Sequence, residues 1–381
     1  MGIDCERTDR LTAASRLAGL PPLAARAILA LIAALILAAA FVPFKEAHSP
    51  AGAASRAGNA TASTKPARDA DLEFYEAVAD RIAARERYYD FIVPAQRAAG
   101  YPVNPGFAVR LPTLAYLSAW LGSTGLLAAA IALTGACAFA WWRRLGEEVA
   151  DPGVRRIAFA LLLVGLSLGL NRHFFPLHEF WAGMLLALSL ALHRPDRGRW
   201  GAALAVAALA LAIRELALPF VILMAAMAAW RRDWREAAAW GALVAIFVAG
   251  LAVHFQLVAA STTPADPRSA SWIALGGLPG WLSKIVLTTN LRLLPQWIAA
   301  PVVVLAMVGW TSWRGRAGAT GALLFGGYAV AFMIAGRPEN YYWGALVGPA
   351  FLAGLAFAPE ALGALWRSAA RKGPTKRPAL S

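Results

Sequence analysis

"GAALAVAALALAIRELALPFVILMAAMAAW" (residues 201–230) is apolar throughout except for Arg214 and Glu215 at its middle. As one helix it is about 45 Å long, well beyond the ~30 Å hydrocarbon core of a bilayer, with a charged pair stranded at that depth. As two short helices it is a hairpin whose tip carries Arg214 and Glu215. The flanking charge chooses between them. Basic clusters occur at "WWRRLGEEVADPGVRR" (141–156), "HRPDRGRW" (193–200), "WRRDWRE" (230–236), "SWRGR" (312–316) and "WRSAARKGPTKRP" (366–378). All five fall on one side of a membrane only if 201–230 turns back on itself, and Lys and Arg concentrate in cytoplasmic loops. The hairpin is therefore expected.

Composition agrees with a chain built for lipid. Of 381 residues, 59% are hydrophobic and 15% charged, against about 25% charged in soluble domains. The net charge of +14 does not point to nucleic acid, because the cations sit in short clusters between apolar runs. Two cysteines, Cys5 and Cys137, make no disulfide framework, and Cys137 lies inside an apolar run as a packing residue. The first apolar run follows a long basic start, has no clear A-x-A cleavage site before a mature domain, and is expected to be a retained helix.

The expected fold is all-α: a polytopic membrane protein of about ten apolar helices. Besides the hairpin, the runs lie near 25–44, 123–142, 157–175, 177–193, 237–259, 296–313, 317–335 and 342–358. The expected organisation is a basic cytoplasmic N-terminus over 1–24, a membrane domain over 25–360 and a basic cytoplasmic tail over 361–381. A long periplasmic loop, 45–122, follows the first span. It opens on an Ala-, Gly- and Ser-rich linker and continues into amphipathic helices. "NAT" (Asn59 to Thr61) matters as a glycosylation sequon only in a eukaryotic secretory pathway, whereas the Ala- and Arg-rich composition points to a bacterial inner membrane.

The second informative stretch is "DADLEFYEAVADRIAARERYYDF" (69–91), which carries Asp69, Asp71, Glu73, Glu76 and Asp80 between two hydrophobic runs. Asp69 or Asp71 can cap a helix, and Leu72, Tyr75, Ala79 and Ile82 recur on one face. Asp71 and Tyr75 are four apart and project from adjacent turns. An amphipathic interfacial helix with acidic caps accounts for the pattern, as does a helix that aims one acid into a cavity as a base.

The order of these parts resembles the C-type (GT-C) membrane glycosyltransferases of the bacterial, polyprenyl-phosphate-sugar-dependent kind. The resemblance rests on an acid followed by Tyr (Asp71, Tyr75) and a closing "YYD" (Tyr89, Asp90), where the family's Gly is replaced. It extends to "VNPGFAVRLPTLAYLSAWLG" (103–122) as a second amphipathic helix, "IRELALPFVILMAAMAAWRRDWREAA" (213–238) as a hairpin, and "GRPENYYWGALVGPAFLAGLAFAP" (336–359) as an outward turn and last helix. It implies transfer of a sugar from a polyprenyl-phosphate donor to a cell-envelope glycan, lipid or protein acceptor on the periplasmic face, with both termini cytoplasmic.

Such a transfer needs a carboxylate to take the acceptor's proton and cations to neutralise the departing lipid phosphate. Asp71 is the expected base, with Asp69 and Glu73 as alternatives. Arg110, Arg214 and Arg337 are the expected phosphate ligands, since a guanidinium stays charged and can hold two phosphate oxygens. Tyr75, His178, Glu179, Glu215, Glu339, Asn340 and Tyr341 are expected to contact substrate, with His173 and Arg292 on the same outward face. Each has a plainer role available. Arg110 and Arg292 can snorkel at the interface, Arg214 and Glu215 can satisfy each other, and Glu179 can serve its helix dipole. His173 and His178 have no third ligand nearby, so no metal site is expected; a divalent cation could still enter with substrate. His193 and His254 are expected to be structural. The rival function is a transporter or flippase for a lipid-linked or anionic substrate, although such folds place charge near the midplane and often carry broken helices in both halves.

Overall fold

The computed structural model describes residues 15–43 and 67–371, with side chains from Asp71 onward in the second stretch. The sequon, Cys5 and the linker lie outside the described residues, as does the side chain of Asp69. Among the described residues the chain is helical without strands. In order, the helices are α1 (Pro22–Ala40), α2 (Ala67–Ala83), α3 (Tyr88–Ala98), α4 (Thr113–Glu148), α5 (Pro152–Leu166), α6 (His178–Leu192), α7 (Gly201–Ile213), α8 (Leu218–Trp230), α9 (Trp234–Ala259), α10 (Gly277–Leu287), α11 (Gln296–Ser312), α12 (Arg316–Ile334), α13 (Gly348–Phe351) and α14 (Ala358–Ala370). Among the described residues, six segments are long and apolar enough to cross a membrane: Pro22–Ala40, Gly106–Glu148, Pro152–Leu170, Trp234–Ala259, Arg316–Ile334 and Gly348–Ala370. Four shorter apolar helices complete the bundle.

The 201–230 block does turn back. Helix α7 stops at Ile213, Arg214 is extended at φ −146°, and a 3-10 turn of Glu215–Ala217 leads into α8. The two feet lie at one level. Ser189 Oγ of α6 donates to Ala203 O of α7 at 2.8 Å. His193 Nε2, just past α6, meets Glu236 Oε1 at the start of α9 at 2.7 Å, and Arg231 Nη2 reaches the other oxygen at 2.8 Å. Each arm has 13 residues and so rises about 20 Å, less than a bilayer core. The tip ends inside the bundle, where Tyr328 Oη donates to Leu216 O at 2.6 Å.

The basic clusters meet at the feet. Arg194 pairs with Glu147 at 2.7 Å, Arg316 pairs with Asp196, Ala317 N donates to Glu148 at 3.1 Å, and Arg16 donates to Gly315 O at 2.9 Å. Segments 144–148, 193–197, 231–236 and 314–317 thus share one end, with Arg214 at the other. Charge counting foresaw this grouping for four of its five clusters; most of the fifth, 366–378, lies outside the described residues.

One boundary follows the hydropathy reading, which began an apolar run at 123, and a later one departs from it. Gly122, at φ +61°, bends α4 into an approach of residues 113–121 and a long apolar rod of 123–148. A side chain rarely tolerates that backbone. The last apolar run does not form a helix over 342–358: Pro338–Leu346 is a 3-10 segment, and regular helix resumes only at Gly348, continuing through a 3-10 stretch to Ala370. Pro349 cannot donate to a preceding turn, which favours a fresh start there. Helix α10 lies inside the bundle. Trp281, Leu282, Lys284, Ile285 and Val286 are buried against neighbouring helices.

The 3-10 segment can pack close to α6 because Gly183 has no side chain. A Cβ there would come within 2.0 Å of Ala345 O. Below it, Lys284 Nζ donates to Gly336 O at 2.9 Å, tying α10 to the turn that leads into this segment.

Candidate functional site

Seven pieces of chain converge at the end away from the basic clusters: α2, the 99–111 turn, the start of α6, the hairpin tip, α9 at Phe247 and Leu251, the 267–272 loop and the 336–343 turn. Between them lies a cavity of about 930 Å³. Asp71 and Tyr75 reach it from one face of α2, since they are one helical turn apart. On the other face of α2, Glu73 and Glu76 are exposed, and Glu73 lines neither this cavity nor its neighbour. Asp71 lies in the second turn of a helix that begins at Ala67, so it is not the expected N-cap.

Asp71 Oδ1 accepts a hydrogen bond from Tyr101 Oη at 2.6 Å. Burial raises the Asp71 carboxyl above its ordinary range, and the Tyr101 bond and the Arg110 charge pull it partly back. Burial likewise pushes the Tyr75 phenol up to about 12, so it is neutral and able to donate at any physiological pH.

Arg110 is the hub. Its Nε donates to Tyr75 Oη at 3.2 Å and one Nη to Tyr342 Oη at 3.3 Å, while Glu179 Oε1 stands off at 3.7 Å. Tyr88 Oη holds its backbone carbonyl at 2.6 Å. Arg110 does not snorkel into an interface; phenols hold it, and a phenol leaves a guanidinium its full charge.

Arg214 is different. It is 2% exposed, pairs with Glu215 at the tip, and meets Glu179 Oε1 with its Nε at 2.6 Å at an angle unsuited to a hydrogen bond. Two carboxylates beside one buried guanidinium leave it no free fork for a phosphate. Arg337 pairs with Glu339 at 2.7 Å and donates to Ala270 O at 3.1 Å. Asn340 Oδ1 accepts from Arg337 N at 3.2 Å and its Nδ2 donates to Tyr342 Oη at 3.2 Å. Tyr341 lines the cavity beside Tyr342.

His178, 3% exposed, faces the Tyr75 ring at 5.2 Å between centroids and lines a second, smaller cavity instead. Glu179 is buried behind Arg214 and Arg110. Arg292 lies outside both cavities, 5.7 Å from the Phe174 ring centroid, and His173 lines neither. His193 serves the hairpin feet, and His254 bonds Tyr89 Oη at 2.9 Å and Val109 O at 3.2 Å. Asp90 is exposed and lines neither cavity.

Sequence reasoning missed Tyr101, Arg268 and Trp272, which all line the larger cavity. Tyr342 was legible only as part of "ENYY". Tyr101 sits in a coil between α3 and α4 with no periodicity to mark it, and Arg268 lies in a loop that hydropathy treats as a connection. Arginines and carboxylates nearly balance on the wall: Arg110, Arg214, Arg268 and Arg337 against Asp71, Glu215 and Glu339. Among the described residues no three His, Cys, Asp or Glu side chains gather as a metal site. No family model, curated protein or solved structure matches this chain.

Proposed function

We propose that this chain is a bacterial inner-membrane glycosyltransferase of GT-C type, taking a sugar from a polyprenyl-phosphate donor to a cell-envelope acceptor on the periplasmic side. The observation that carries the reading is the meeting of one half-buried carboxylate, Asp71, with a phenol-held cation, Arg110, across a cavity at the end away from the basic clusters. An acceptor hydroxyl in the cavity gives its proton to Asp71 as its oxygen bonds to the anomeric carbon. The bond from that carbon to the phosphate oxygen breaks, and polyprenyl phosphate leaves with the electron pair. Arg110 is the group to meet that charge, with Arg268 at the rim, because its ion pair with Glu179, at 3.7 Å, is looser than those that hold Arg214 and Arg337. Arg214 and Glu215 form part of the wall, with Glu179 behind them. A transporter would instead release its cargo unchanged.

The purified full chain, supplied with radiolabelled polyprenyl-phosphate sugars and an envelope-lipid extract, is expected to release polyprenyl phosphate in step with sugar incorporation. Uptake of donor into vesicles with no bond cleavage would favour the transporter.

The acidic limb of that activity should report Asp71, which works only when ionised. Since its carboxyl is raised, the limb should lie above the ordinary carboxylate pKa of about 4. Tyr101→Phe removes a hydrogen bond that favours the ionised form, so the limb should move further up, by roughly one pH unit. A limb that stays in place or moves down would separate Tyr101 from the proton transfer.

The side of the membrane is checked by labelling. In intact cells, Arg235→Cys and Arg314→Cys should resist an impermeant thiol reagent, whereas Ala265→Cys should react. Labelling of position 314 from outside would reverse the orientation and remove the periplasmic site.

A further inference from the structure

Arg110 sits in the irregular stretch between α3 and α4 and not on a regular helix. The carbonyls of three consecutive residues there are nevertheless each held by a side chain from a helix. Gln96 Nε2 of α3 donates to Ala108 O at 3.1 Å and to Pro102 O at 2.7 Å. His254 Nε2 of α9 meets Val109 O at 3.2 Å, and Tyr88 Oη of α3 donates to Arg110 O at 2.6 Å. Val109 is extended, at φ −90° and ψ 125°, and successive carbonyls of extended backbone face opposite ways. Hence α3 holds 108 and 110, while 109 needs a partner from another element. Gly106 lets α9 come near enough to supply it. A Cβ at Gly106 would stand 2.7 Å from the ring of Phe255, the neighbour of His254.

The second nitrogen of His254 is used as well. A carbonyl only accepts, so Nε2 carries the hydrogen of the neutral ring and Nδ1 is left as an acceptor. Tyr89 Oη supplies the donor at 2.9 Å. Adjacent tyrosines thus serve adjacent carbonyls, Tyr88 directly and Tyr89 through His254. Tyr88, Gln96 and His254 are all buried, where water competes little for such bonds. Buried carbonyls need partners in any fold, but these three converge on the residue whose guanidinium reaches the larger cavity. That guanidinium is held at its far end by Tyr75 and Tyr342. A cation fixed at both ends meets charge growing on a departing phosphate without having to reorganise.

We propose that Tyr88, Gln96 and His254 are positioning residues, which fix the backbone of Arg110 so that its guanidinium faces the larger cavity before substrate enters. The assignment rests on the part given to Arg110 in the proposed transfer. Its test reads binding of a lipid phosphate, which needs no turnover.

The full chain in lipid nanodiscs is titrated with farnesyl phosphate, with farnesol as the control for partition into lipid. Arg110→Ala should weaken farnesyl phosphate binding by about tenfold or more, the scale of a lost hydrogen bond to a charged group. Tyr88→Phe and His254→Leu should each weaken it by about fivefold, the scale of one neutral hydrogen bond, and leave farnesol unchanged. His254→Gln keeps an N–H donor for Val109 O and should restore most of the affinity. In an Arg110→Ala background, Tyr88→Phe should add less than about twofold, because a residue that acts through another has nothing left to act on. A purely structural role predicts lower thermal stability with affinity kept, or losses that add to that of Arg110→Ala, and either result overturns the proposal. So does a folded His254→Gln protein that binds as weakly as His254→Leu. Should His254→Leu fail to fold, Tyr88→Phe, which removes one oxygen atom, carries the same comparison. If Arg110→Ala is weak and the other variants bind normally, the positioning role alone fails. If Arg110→Ala itself binds normally, the part of Arg110 in the proposed transfer fails, and the positioning role with it.

Discussion

Asp71→Asn is expected to lower sugar transfer by roughly 10²-fold or more, the ordinary scale for loss of a general base, while donor binding and folding persist. The structure makes this a clean substitution. Asp71 lies within α2 and is not its cap, and Asp and Asn have similar helix propensities. An amide oxygen can still accept the Tyr101 hydroxyl that now bonds Oδ1 at 2.6 Å. Only the capacity to take a proton is lost. Glu73→Gln, on the exposed face of the same helix, should change transfer by less than about twofold. Near-normal turnover in a folded Asp71→Asn protein would leave this acid as a support for Tyr101 and place the transporter ahead.

The second large effect concerns stability. Arg214→Ala should destabilise the bundle by roughly 3–5 kcal/mol, because it leaves the Glu179 carboxylate only the looser Arg110 partner at 3.7 Å, in a site where Arg214 and Glu179 are nearly inaccessible (2% and 1% exposed). Replacing both members with apolar residues, Arg214→Leu with Glu179→Leu, removes the stranded charge together with its partner. Most of the lost stability should then return, although Glu215 at the cavity edge keeps its contact with water. Thermal unfolding of the three proteins in one detergent reads the outcome. If the double variant is no more stable than Arg214→Ala, the pair is not a coupled structural unit, and Arg214 becomes available again as a phosphate ligand.

What the sequence alone determined about this protein was set by the bilayer as solvent. An apolar run must satisfy its own backbone, and a charged pair inside one must find a protein-lined place. Hence Arg214 and Glu215 mark a break, and the basic clusters mark a common end. The same logic drew attention to Asp71 and Tyr75, because acids one turn apart from an aromatic on an amphipathic helix are visible as a pattern. Tertiary structure alone decided which arginine is available. Glu179 precedes Arg214 by 35 residues, and nothing local in either segment encodes their meeting; it follows from α6 lying along α7. Nor could the pattern show that Arg110 is held by Tyr75 and Tyr342 from opposite thirds of the chain, or that Tyr101 covers Asp71. Hydropathy and charge act along the chain and across the membrane, so they fix depth and side. The pairing of one side chain with another is fixed by packing, where a few ångströms decide whether a guanidinium meets a carboxylate or a phenol.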